Sequence, residues 1–125
     1  MRRGSRAVAA AAQIWGADRV IAEANQGGDM VISTLRAADV AMPVKKVHAT
    51  RAKAARAEPV AALYEAGKAF HAGAFSELED ELCGLVTGGS YQGPGRSPDR
   101  ADALVWAMTE LMLAPRGVEP RVRQL

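Results

Sequence analysis

The chain is poor in the residues that mark several kinds of protein. It has one cysteine, Cys83, in 125 residues, which excludes an internal disulfide and a cysteine-built zinc cage. No run of about 18 apolar residues occurs, so neither a membrane span nor a membrane partner is expected. The pattern G-x-x-x-x-G-K-[ST] is missing, and with it any Walker-type nucleotide motor. The two histidines, His48 and His71, lack the spacing of a metal pair, so a structural role is expected for both. There is little excess charge either. A formal net charge of +2 does not by itself demand a nucleic-acid partner.

What the chain does have is alanine. Hydrophobic residues make up 49% of it, and the alanine share points to a folded globule of well-packed helices. A length of 125 residues suits one domain with a real core, not two. Lys45, Lys46, Arg51, Lys53 and Arg56 crowd into one short segment, a local basic patch on a nearly neutral protein. The start, "MRRGSRAVAAAAQIWG", imitates a signal peptide, but Gln13 interrupts its alanine core and Asp18 and Arg19 follow at once. It reads as an amphipathic helix on a cytoplasmic protein.

Residues 5–16 are expected to be helical and to stop at Gly16. "DRVIAEAN" (18–25) reads as a strand, 27–39 as a helix, and "PVKKVHAT" (43–50) as a second strand. Residues 57–68 read as a helix, with Pro59 near its first turn and Gly67 as its stop. "AFHAG" (69–73) is a candidate edge strand, and 76–86 a helix with Ser76 as N-cap and Glu79 completing a capping box. After a loop at 87–96, Ser97 is the expected N-cap of a last helix, with Pro98 at N1, Asp99 at N2 and an end near Leu113. Alternation of this kind predicts an α/β domain with parallel strands flanked by helices. Two or three short strands make a poor sheet alone, so the chain looks like the back half of one.

Three acids stand out. Glu23 falls at the carboxyl end of the first strand, the edge where ligands collect in open α/β sheets. Asp99 and Asp102 lie one turn apart on the last helix, at the border of an apolar stripe of Ala101, Leu104, Val105, Met108, Leu111 and Met112. Carboxylates converging in this way suit Mg²⁺ or Mn²⁺, and two such ions suit phosphodiester hydrolysis. The helix dipole alone also favours two acids in a first turn.

These acids belong to longer blocks. "RVIAEANQGGDMV", "RAKAARAEPVAALYEAGKAFHAG", "FSELEDEL" and "SPDRADALVWAMTEL" resemble, in order, the C-terminal nuclease domain of tailed-phage terminase large subunits, from about Arg6 to Leu113. The resemblance implies an RNase H-like fold over residues 1–114, with 115–125 as a tail. It implies a two-metal, Mg²⁺- or Mn²⁺-dependent endonuclease that cuts concatemeric double-stranded DNA in the host cytoplasm. The terminase ATPase motor, the small subunit and the portal are the implied partners. Glu23 matches the family's second acid, Asp102 the third, and Asp99 an auxiliary acidic or histidine position. The family's first aspartate lies on a strand upstream of the helix at which this chain begins. The expectation is therefore an N-terminally truncated nuclease domain, a clipped or prophage-derived fragment, weakly active or inactive alone. A resolvase-like nuclease for branched DNA shares the acid-x-x-Asp-Ala pattern and is the alternative enzyme. A non-catalytic DNA-binding or assembly remnant is the alternative outside the enzymes.

Other residues carry paired readings. Arg51, Lys53 and Arg56 are candidates for DNA phosphate contacts or for a solvated helix start. Asn25, Gln26, Gly27 and Gly28 would hold a phosphate at a helix N-terminus or merely form a tight turn. Trp15 and Trp106 are expected in packing, Cys83 as a small core residue, and the acidic run Glu77, Glu79, Asp80 and Glu81 as a solvated helix face.

Overall fold

The alanine-rich opening forms helix α1 (Arg2–Trp15), and the expected glycine stops it. Gly16 adopts φ 61°, a conformation that costs glycine little. Its N–H bonds the Gln13 carbonyl at 3.3 Å, and the Ala17 N–H bonds that of Ala12 at 2.9 Å. The computed structural model describes residues 2–24, 28–39, 41–85 and 90–114. Asn25, Gln26, Gly27 and the tail at 115–125 therefore lie outside the described residues. The chain divides into two compact units, Met1–Thr50 and Arg51–Leu125.

In the first unit, β-branched residues form strands β1 (Val20–Glu23) and β2 (Val44–Val47), with helix α2 (Gly28–Ala38) between them. The strands pair in parallel, Val20 opposite Val44 and Glu23 opposite Val47. Flanking bonds run from Val20 N–H to the Pro43 carbonyl and from Ala24 N–H to the Val47 carbonyl, both 2.8 Å. Parallel neighbours need a crossover, and α2 supplies it. Strand alternation sends Val20 and Ala22 to one face, where Ala22, Leu35 and Met42 form a buried core joined by Val8, Ala9, Val31 and Val44. Ile21 and Glu23 take the other face. Lys45 and Lys46 of β2 are exposed.

The second unit is helical: α3 (Lys53–Glu65), α4 (Ser76–Gly84) and α5 (Asp99–Met108), the last continued by a π-helical turn, Thr109–Leu113. Helix α5 packs against both α3 and α4, around buried Val60, Ala101 and Val105. The α/β expectation holds, with corrections in detail. Helix α3 starts earlier than expected, so Pro59 lies inside it, on an exposed position where its ring meets solvent. Gly67 does end the helix, at φ 71°. Its N–H bonds the Tyr64 carbonyl at 3.0 Å and the Lys68 N–H bonds that of Leu63 at 2.9 Å.

Residues 69–73 form no strand. His71 is instead held by side chains from the helices on either side, Tyr64 and Glu79. Ser76 is inside α4 rather than its cap. The Phe75 N–H at the cap position still bonds the Glu79 carboxylate at 3.3 Å, half of the expected box. The apolar stripe of α5 holds at Ala101 and Val105 but fails at Leu111 (68% exposed) and Met112 (44%). There the wider turn, closed by Ala114 N–H to the Thr109 carbonyl at 2.7 Å, changes the phase. Trp15 is 83% exposed, not packed, and Cys83 is exposed rather than core.

Candidate metal and nucleic-acid site

Two ladders of opposite charge meet in the second unit. Lys53 and Arg56 lie three apart in the first turn of α3, and Asp99 and Asp102 three apart in the first turn of α5. Spacing of three puts each pair on one helix face. The packing of α3 on α5 then matches them rung to rung. Arg56 Nη1 donates to Asp102 Oδ1 at 2.6 Å, and both side chains are about nine-tenths buried. Lys53 Nζ donates to Asp99 Oδ1 at 3.3 Å and lies 3.8 Å from Asp102 Oδ2.

Arg56 is fixed on three sides. Its Nε donates to the Arg51 carbonyl at 3.0 Å, and its guanidinium lies 4.9 Å from the ring centre of Trp106. This gives Trp106 a partner that no local pattern announced. Lys53 is freer, with a third of its side chain exposed. Its ammonium also donates to Ser97 Oγ at 2.8 Å, and Ser97 Oγ donates to Asp99 Oδ1 at 2.8 Å. The Ser97 bond, then the Lys53 bond, hold the Asp99 carboxyl below its ordinary pKa.

Ser97 is thus committed to Asp99 and does not cap α5, which has Pro98 at the cap position and no side-chain cap of its own. The missing cap comes from α4. Glu81, 4% exposed, accepts the Ala101 N–H at 3.1 Å and Arg100 Nη1 at 2.9 Å. Burial alone would raise its pKa, but these bonds bring it below the ordinary value. The acidic run is therefore not a merely solvated face.

Residues 4–111 match the family described as the terminase RNaseH-like domain. The chain belongs to this family. A parallel sheet flanked by helices agrees with an RNase H-like domain, and the resemblance to the terminase nuclease domain is borne out. No curated protein and no solved structure matches the chain.

RNase H-like nucleases ordinarily use divalent metals, and the donors here are of the right class. Asp99, Asp102 and Ser97 offer hard oxygens, and positive charge already lies among them. Among the described residues, no group of three or more His, Cys, Asp or Glu gathers as a metal set. Glu23 lies in the first unit, half-buried at the carboxyl end of β1. The second unit brings together Asp99, Asp102, Lys53 and Arg56, while Arg51 contributes its carbonyl and has an exposed side chain.

The same unit holds a cavity of about 520 Å³ between α3, α4 and α5, with Val60, Leu82, Cys83 and Val105 among its lining residues. Tyr64, His71 and Glu79 form its polar wall. His71 Nδ1 lies 2.8 Å from Glu79 Oε2, and Nε2 lies 2.9 Å from the Tyr64 hydroxyl. A carboxylate only accepts, so Nδ1 donates to Glu79, and in the neutral ring Nε2 then accepts the Tyr64 O–H. The His71 bond holds Glu79 below its ordinary pKa, and burial raises that of Tyr64. Sequence spacing gave no sign of this trio beyond the Glu79 capping signal.

Proposed function

We propose that this terminase domain is a metal-dependent endonuclease that cuts concatemeric double-stranded DNA during phage packaging. One observation carries the reading: the paired acids of α5 stand against paired cations of α3 in a chain of the terminase RNaseH-like family. Asp102, Glu23 and, in an assisting role, Asp99 would hold Mg²⁺ or Mn²⁺. The bound metal would supply charge stabilisation at the scissile phosphate and lower the pKa of a coordinated water. Arg56 orients Asp102 by pinning one oxygen. Lys53 and Arg51 would contact DNA phosphates, and each such contact adds salt dependence. Residues 1–114 would act as part of a nuclease domain beside the ATPase motor, small subunit and portal in the host cytoplasm. Among the described residues no helix is long and apolar enough to cross a membrane.

The test is cleavage of supercoiled plasmid by the purified chain with Mn²⁺. Slow nicking that disappears in Asp102→Asn and in Glu23→Gln is expected. Nicking that persists in both variants would overturn the assignment of these acids. The basic side chains at the start of α3, exposed Arg51 and one-third exposed Lys53, favour a second reading, a non-catalytic DNA-binding remnant. It predicts no metal-dependent nicking, and salt-sensitive duplex binding that survives loss of both acids but weakens in Lys53→Ala with Arg56→Ala.

A further inference from the structure

The Lys53 ammonium sits among three oxygens from three residues. Ser97 Oγ is at 2.8 Å, Asp99 Oδ1 at 3.3 Å and Asp102 Oδ2 at 3.8 Å. These are hard donors around one compact cation, the arrangement a divalent ion would use with its own waters completing the shell. The two cations of α3 divide the work. Arg56 takes Asp102 Oδ1, is nine-tenths buried and is braced on the Arg51 carbonyl and Trp106. It leaves Oδ2 facing Lys53. Lys53 is one-third exposed, and Asp99, its partner, is 82% exposed. The movable cation therefore lies on the open side of the cluster and the fixed one on the buried side.

We propose that Lys53 is a tethered stand-in for the metal, keeping the Ser97–Asp99–Asp102 oxygens together and yielding to a divalent cation when a DNA phosphodiester takes its ammonium. This rests on the nuclease reading for the identity of the phosphodiester, but not for the exchange itself. The released ammonium remains at the start of α3, next to exposed Arg51, where it pairs with the incoming phosphate. A divalent ion replaces the single charge of the ammonium with two, so the two carboxylates stay neutralised throughout. Metal and DNA binding at this place are then positively coupled, and each tightens the other by the same factor.

The experiment is a Mn²⁺ titration of the full chain without DNA, followed by the electron spin resonance of the free ion. Lys53→Met keeps the stem and removes the charge; Lys53→Gln is a second variant in case the first does not fold. Either is expected to tighten Mn²⁺ binding by about tenfold, equivalent to about 1.4 kcal/mol. The gain should vanish when Asp99→Asn is added. Unchanged or weaker Mn²⁺ binding in the folded variant overturns the proposal. Duplex binding, read by fluorescence anisotropy, should tighten with Mn²⁺ in the wild type and not in Lys53→Met. Equal effects of Mn²⁺ on the two overturn the coupling. The readings fail separately: tighter Mn²⁺ binding without nicking by any form removes the nuclease, and nicking with unchanged Mn²⁺ affinity removes the exchange.

Discussion

Removing the Arg56 guanidinium tests how Asp102 is held. The two groups meet at 2.6 Å with side chains 10% and 11% exposed, so each has given up most of its water to the other. Deleting one partner of such a pair leaves a desolvated charge and costs about 3–5 kcal/mol. A domain of ordinary stability has about 5–15 kcal/mol in total, so either single variant should be severely weakened. Deleting both leaves no orphan charge. The loss in Arg56→Ala with Asp102→Ala should therefore fall short of the summed single losses by about 2 kcal/mol or more. The pair Lys53–Asp99, with Asp99 82% exposed, supplies the internal contrast, and its coupling should stay below about 1 kcal/mol. The assay is urea unfolding in EDTA, read by Trp106 fluorescence in a Trp15→Phe background. Trp106 lies against Arg56 and reports this unit, whereas Trp15 is 83% exposed in the other. Equal coupling in the two cycles would refute the claim that burial separates a fixed cation from a movable one.

Two further perturbations probe the scaffold. A side-chain carbon on Gly84 would collide with the Gly93 backbone, where the Gln92 N–H also bonds the Gly84 carbonyl at 2.8 Å; Gly84→Ala should cost about 1–3 kcal/mol in the same urea assay. Hydrogen bonds hold Glu79, Glu81 and Asp99 below their ordinary pKa values, so the folded chain binds fewer protons than the unfolded one near pH 4. Their stabilisation is present above that range and lost as pH falls through the lowered values. Urea midpoints should decline from pH 6 to pH 3, less steeply in Glu81→Gln, and a flat profile would contradict the assignment.

Local chemistry explains which elements were legible. Val20, Ile21, Val44 and Val47 are β-branched and mark the two strands, while Gly16 and Gly67 mark helix ends by the conformation they alone adopt cheaply. The three-residue spacing of Asp99 and Asp102 was visible, as was that of Lys53 and Arg56. That the two faces meet was not, because no residue within a turn of either pair encodes the packing of α3 on α5. Ser97 shows the same limit. Its type and position favour an N-cap, but Lys53, distant in sequence, offers a charged partner that outweighs a single backbone N–H. Pro59 by its type belongs near a first turn. Alanine and other good helix formers on both sides carried the helix through it instead.

The cap that Glu81 lends to α5 has a consequence for how the acids keep their positions. A helix that caps itself carries its first turn wherever it goes. Helix α5 does not, since the carboxylate on its Ala101 N–H is anchored twenty residues upstream on α4. Asp102 is the next residue along. Glu81 thus pins the first turn of α5 to α4, while Arg56 ties it to α3. A partner that pulls on α4 would therefore load the α5 carboxylates through Glu81 without touching them, against the hold of Arg56.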